Sequence, residues 1–286
     1  MPDSVDSKCR PFADDSIIYR EIKSPDDNKI LQDDLIKLTS WEQKWGMSFI
    51  PSKCNIMHIT RKRNPSKPVY FLKGEALEPL DSAKYLGVNI TNDLSWNKHI
   101  DSISKKGNQT LGFIKRNIPK SSPTSTKDMA YKTLVRPQLE YASCVWDPYQ
   151  QYLVHQLEMV QRRAARYALG FPLFSQDSVS NMLSILKWEE LQQRRWKAKL
   201  IMTFKIKNGL VAIPPSYFLT SGYATRGNKE SKYIHLGSST DYYKFSFFPS
   251  VLPAWNSLDP AIANCSDLTS FKTSLESLHI RALSHY

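Results

Sequence analysis

Near Asn92 the hydrophobic periodicity of this chain turns from mainly strand-like to helical, and that change limits what it can fold into. Before it, residues 54–60 (CNIMHIT), 69–72 (VYFL) and 84–90 (KYLGVNI) are short, apolar and partly β-branched. Pro-, Lys- and Gly-containing stretches separate them, so they read as strands of an antiparallel sheet. Residues 10–22 (RPFADDSIIYREI) read as two short strands around an acidic turn at Asp14-Asp15. One helix interrupts this region. Ser24 is placed to cap it, Pro25 suits its first position, and Asp26 and Asp27 suit its positive end. Leu31, Leu35, Leu38, Trp41 and Trp45 then form one apolar face.

Beyond Asn92 spacings of three and four take over. Ser95 is expected to cap a helix carrying Trp96, Ile100, Ile103, Leu111 and Ile114. A second begins near Thr124 and runs past Met129 and Leu134, with a kink or break before Pro137. A third carries Leu153, Leu157, Val160, Ala164 and Ala168 and stops at Gly170; a fourth runs from about Trp188 to Lys207, ending at Gly209. Residues 222–241 are polar and Gly/Ser-rich, which predicts a loop or linker, and a short helix from Asp267 to Leu278 closes the chain with Asp267 as its cap. The expected class is α+β: an α+β region at 1–93, a helical region at 94–210 and a tail at 211–286.

Of 286 residues, 41% are hydrophobic, enough for a substantial core, and the formal net charge of +12 favours polyanionic partners, nucleic acid above all. Cys9, Cys54, Cys144 and Cys265 lie far apart without C-x-x-C spacing, and the six histidines are scattered. That excludes a disulfide framework and a zinc motif, and it favours the cytosol or nucleus over secretion. No apolar run reaches membrane-spanning length, and the first residues lack the apolar stretch of a signal peptide.

Two features carry potential chemistry. Adjacent carboxylates at a hairpin tip, Asp14 and Asp15, repel one another unless a cation joins them, and clustered carboxylates holding divalent metals are the usual apparatus of nucleotidyl transfer. In isolation the pair reads first as a solvated turn, and only its context favours the metal. The second feature is basic helices. Arg162, Arg163 and Arg166 lie within about one turn, while Arg194, Arg195, Lys197, Lys199, Lys205 and Lys207 crowd the fourth helix among Trp188, Trp196 and Phe204. Trp188 and Phe204 read as core, and the arginines read as phosphate contacts.

The motif order adds a resemblance. Phe12-Ala13-Asp14-Asp15, then LQDDLIKLTSWEQKWGMSFIPSKCNIMHITRKR, then AKYLGVNITNDLSWNKHI resemble the reverse transcriptases of LINE-type (non-LTR) retrotransposons. YKTLVRPQLEYASCVWDP, LEMVQRRAARYALG and FPSVLPAWNSLDP are similar to the region after the polymerase core in jockey-like elements, so the likeness covers nearly the whole chain. It implies the C-terminal part of a palm, a helical thumb and a helical tail, acting on an RNA template and DNA primer with deoxynucleoside triphosphates and Mg²⁺. Asp14 and Asp15 would be the metal-binding pair, Lys53 would act near the triphosphate, and Tyr85, Leu86 and Gly87 would form the primer-grip turn. Arg162, Arg163, Arg166, Arg194, Arg195, Lys197 and Lys199 would contact the duplex. The family's reaction is in-line displacement at the α-phosphate.

The sequence departs from that pattern in one respect. The family's first catalytic aspartate lies on an earlier strand, and here only Asp3 and Asp6 precede Asp14, both in a polar stretch. The family's glycine-rich Q-G segment and fingers are also absent. The chain alone is therefore expected not to polymerise. The alternatives are a nucleic-acid-binding module without catalysis and a translated remnant of a decayed element.

Overall fold

The computed structural model describes residues 4–171, 179–217, 233–234, 237–276 and 278. The chain divides into two compact units, residues 1–99 and 100–286. Among the described residues no helix is long and apolar enough to cross a membrane.

The first unit is organised on one helix. Strands β1 (Lys8–Phe12) and β2 (Asp15–Tyr19) form an antiparallel hairpin in register from Lys8↔Tyr19 to Phe12↔Asp15. Helix α1 (Pro25–Trp45) follows, with Pro25 in its first turn and Gly46 closing it at φ 65°. The acid at its third position completes the start: Asp27 Oδ2 accepts from the Ser24 N–H at 3.0 Å. Leu35 and Leu38 are buried with Tyr70, Leu72 and Leu77, and Leu31, Ile18 and Ile56 pack against them. The expected apolar face thus fails at one end, because Trp45 is 61% exposed.

The expected antiparallel sheet is a set of separate pairs. β3 (Asn55–Ile56) pairs parallel with β6 (Glu78–Pro79), β4 (Phe71–Leu72) forms a hairpin with β5 (Glu75–Ala76), and β7 (Ser82–Tyr85) forms a hairpin with β8 (Val88–Thr91). Residues 57–60, expected in a strand, lie outside any ladder, and 84–90 is two strands around a turn. Proline explains part of this: Pro65 and Pro68 lack the N–H a ladder needs, and Pro79 ends β6. The β4 edge away from β5 meets a side chain, since Gln32 donates to the Phe71 carbonyl and accepts from the Phe71 N–H, both at 2.8 Å.

The second unit is helical. Helix α2 (Asn97–Asn117) begins two residues after Ser95. The Ser95 N–H donates to Asp93 Oδ1 and its carbonyl accepts from the Thr91 hydroxyl. In the segment expected to kink or break before Pro137, α3 (Thr124–Ala130) passes through a π-helical stretch, Tyr131–Val135, into α4 (Arg136–Glu140). After α5 (Ser143–Trp146) comes α6 (Gln151–Leu169), closed by Gly170 at φ 73°. Gly107 lets α2 approach closely, because a Cβ there would stand 3.0 Å from Leu139 Cδ2 and 3.3 Å from Val160 Cγ1.

Helices α7 (Val179–Leu186) and α8 (Leu191–Lys207) follow, α8 beginning three residues after Trp188. Then come α9 (Asp241–Lys244), α10 (Phe247–Asn256), α11 (Pro260–Ala263) and α12 (Leu268–Glu276). Asp267 caps α12, accepting from the Thr269 and Ser270 N–H groups. Trp188 and Phe204 are buried as expected. The residues expected as a separate tail share a core with α8, where Leu200 and Phe204 pack with Val251, Trp255, Phe271 and Leu275. Most of the expected loop at 222–241 lies outside the described residues.

Candidate functional site

The β1–β2 turn consists of Ala13 and Asp14, closed by Phe12↔Asp15. Ala13 has φ 49° while Asp14 stays in the ordinary negative range, the pattern of a type II′ turn in which glycine is the comfortable residue. An alanine held there costs about 1–2 kcal/mol, and strain of this kind gathers at functional sites. Asp14 and Asp15 are both exposed at the tip, with no side-chain hydrogen bond or ion pair among the described residues.

What holds this hairpin is a buried acid that no sequence motif singles out. Asp34 on α1 is fully buried; its Oδ1 accepts from the Asp6 N–H at 2.9 Å and its Oδ2 from the Ser7 N–H at 2.7 Å. Lys37 Nζ adds a 3.1 Å ion pair. Burial pushes the Asp34 carboxyl up, but the hydrogen bonds from Ser7 and Asp6 prevail and hold it below its ordinary value. The chain is thereby pinned to α1 one residue before β1 begins.

The β7–β8 turn uses a related device. Leu86 and Gly87 have φ 44° and 84°, both positive, as a type I′ turn requires. The Tyr85 hydroxyl donates to the Arg10 carbonyl at 3.3 Å, joining this hairpin to β1. The structure thus ties Tyr85, Leu86 and Gly87 to the strand that leads to Asp14 and Asp15. Lys53 ends a 3₁₀ turn, Pro51–Lys53, and is exposed, with no ion pair among the described residues.

The arginines of α6 and the basic residues of α8 separate sharply. Arg195 has no exposed side-chain surface, and its Nε lies 2.7 Å from Asp147 Oδ1; Lys199, 3% exposed, lies 2.8 Å from Asp147 Oδ2. Lys197 is buried against Glu189, and Arg194 pairs with Glu140. The expected phosphate-contacting face on α8 is therefore corrected: Arg195, Lys197 and Lys199 are interior cations already neutralised by carboxylates, and Arg194 is committed to one.

Arg162, Arg163 and Arg166 remain available, with no ion pair among the described residues. Arg163 is exposed and donates to Asn108 Oδ1 at 3.1 Å. The Nε atoms of Arg162 and Arg166 are buried without a hydrogen-bond partner among the described residues. Lys115 lies close enough that burial, and then the Arg163 charge, lower its pKa. Lys115 Nζ and Lys127 Nζ stand 5.7 and 5.4 Å from the centroid of the Tyr167 ring, whose hydroxyl donates to the Ile118 carbonyl at 2.7 Å. Sequence reasoning missed Lys115, Lys127 and Tyr167, since lysines near helix ends read as ordinary termini. Lys127 is buried and donates to the Lys120 carbonyl, so the exposed part of the cluster is Lys115 with the α6 arginines, like charges lacking counterions among the described residues and suited to an anion.

The carboxylates test poorly as a complete metal centre. Among the described residues no group of three or more His, Cys, Asp or Glu side chains stands together to hold an ion. A two-metal site needs donors beyond Asp14 and Asp15.

Comparison with known proteins agrees with the motifs. The chain is 27% identical over 172 residues to a protein described as a probable RNA-directed DNA polymerase from transposon X-element of Drosophila melanogaster. It is 22% identical over 178 residues to another from transposon BS of the same organism. The matches take in 59% and 61% of this chain but only 19% and 20% of those proteins, so the chain spans about a fifth of their length. No protein-family model matches, and no solved structure does. The resemblance to LINE-type reverse transcriptases thus stands on aligned relatives as well as on motif order.

Proposed function

We propose that this chain forms part of an RNA-directed DNA polymerase, contributing one carboxylate hairpin, a primer-holding turn and a duplex-binding helical unit. The observation that carries the reading is the hydrogen bond between two hairpins whose tips both place a non-glycine residue in the left-handed region, Ala13 beside Asp14 and Leu86 beside Gly87. Asp14 and Asp15 would supply donors to Mg²⁺, Lys53 would face the triphosphate, and Tyr85 to Gly87 would hold the primer end. Arg162, Arg163 and Arg166, with Lys115, would lie against the phosphates of an RNA–DNA duplex. Two carboxylates alone do not complete the metal site.

That same incomplete donor set favours a second reading, nucleic-acid binding without catalysis by this chain alone. Titrating the chain with an RNA–DNA primer–template at several salt concentrations, together with a primer-extension assay in Mg²⁺ on a longer polymerase in which this chain replaces the matching segment of a relative, separates the two. Binding that weakens as salt rises is common to both. Extension abolished by Asp14→Ala with binding intact supports the polymerase reading. Binding without extension supports the second, and absence of binding refutes both.

A further inference from the structure

The helical unit contains a cleft that the proposed polymerase roles leave unused. Its volume is about 110 Å³, several times what one water molecule needs, and its walls include Asp147, Tyr149, Trp196, Lys199, Lys244 and Phe245. The charge balance there is positive. Asp147 is the carboxylate among these, and both its oxygens are occupied, by Arg195 and by Lys199. Lys244 is exposed and has no ion pair among the described residues. Each cation also sits by an aromatic ring: Lys199 Nζ lies 4.9 Å from the Trp196 centroid and Lys244 Nζ 5.3 Å from that of Phe245. Tyr149 and Phe245 stack face to face at 4.0 Å, which fixes the ring that carries Lys244 against the α5–α6 turn.

A ligand satisfying this wall needs a flat π-face and a negative charge held close together. A simple anion would leave the aromatic surface unused, and an apolar ligand would strip water from Lys244 without compensation. A nucleotide offers both groups in one molecule, a base to lie on a ring and a phosphate for the lysine. Within a duplex the bases are hidden in the stack, so only an unpaired nucleotide presents its face. We infer that this cleft is a subsite for one unpaired nucleotide of a bound nucleic acid, with Trp196 at its base and Lys244, held over the Phe245 ring, at its phosphate. The inference rests on the nucleic-acid reading above and adds a preference for single-stranded ends.

The test compares the full chain's affinity for a blunt duplex, for the same duplex carrying a short unpaired overhang, and for deoxyadenosine monophosphate. Anisotropy reports on the labelled duplexes, and tryptophan quenching on the mononucleotide. The overhang is expected to bind about tenfold more tightly than the blunt end. Lys244→Glu, at an exposed position, and Phe245→Leu, which keeps the bulk, are each expected to erase that preference while leaving blunt-end affinity unchanged. Equal affinity for both duplexes overturns the subsite and leaves duplex binding intact. Mononucleotide binding without any duplex binding keeps the cleft and overturns the nucleic-acid reading. Failure to bind all three probes overturns both.

Discussion

Asp147 and Arg195 meet 2.7 Å apart in a core where the arginine has no exposed surface, and Lys199 takes the second carboxylate oxygen at 2.8 Å. One acid thus holds two interior cations contributed by α8 to the turn after α5. Arg195 stands 6.0 Å over the Trp146 ring, and its two terminal nitrogens have no hydrogen-bond partner among the described residues. This cluster is therefore sensitive to loss of Asp147, the carboxylate that contacts both cations.

Asp147→Ala is expected to destabilise the helical unit by about 3–5 kcal/mol, since it leaves two buried cations uncompensated. Urea denaturation followed by circular dichroism measures the loss. A midpoint shift within error of wild type would show that water reaches these side chains. Charge reversal at Arg195 is likewise expected to unfold the unit rather than to weaken nucleic-acid binding selectively.

Replacing Arg163 and Arg166 with glutamine is expected to leave the melting temperature nearly unchanged and to weaken duplex binding similarly for all sequences. Removing one arginine–phosphate interaction flattens the dependence of log K on log salt by about 0.9. A variant with the wild-type salt slope removes these arginines from the interface.

The hairpin tips differ in what they tolerate. Ala13→Gly is expected to be neutral or to stabilise by a few tenths of a kcal/mol up to about 1, since glycine accepts φ 49° but loses more entropy on folding. Gly87→Ala, at φ 84°, is expected to cost about 1–2 kcal/mol. Equilibrium unfolding of both variants decides it, and stabilisation by Gly87→Ala would contradict the turn geometry.

Acid should loosen the start of α1. Hydrogen bonds from the Ser24 and then the Lys23 backbone lower the Asp27 carboxyl from 3.8 to about 2. A depressed folded value means that its contribution is fully present above pH 3.8 and disappears as pH falls from there towards 2. The stability difference between wild type and Asp27→Asn should therefore shrink across that window in an acid titration. A difference constant over the window would show that Asp27 makes no charge-dependent contribution.

The helices whose ends carry local chemistry were legible in the sequence. Ser24, Pro25 and Gly46 bound α1, Gly170 ends α6 and Asp267 starts α12, because a cap acts through the few residues beside it. Strand pairing was less legible. Asn55↔Glu78 joins residues across a proline-broken stretch, and nothing local specifies a parallel partner. The basic residues of α8 misled for a different reason. That helix packs against α5, α6, α10 and α12, so its charges are interior on several sides, and the acid that neutralises two of them lies 48 positions before Arg195. Of the candidate site, the Asp14-Asp15 tip and the Tyr85–Gly87 turn were readable as motifs. The tie through the Arg10 carbonyl was not, since a backbone acceptor leaves no trace in the sequence.

Gln32 grips Phe71 by its N–H and carbonyl together, imitating with one side-chain amide the pairing another strand would make. A short, partly apolar edge is thereby closed to recruitment by a neighbouring chain. Gln32→Ala would reopen it, and the cost would be read as self-association during refolding more than as lower stability of the monomer.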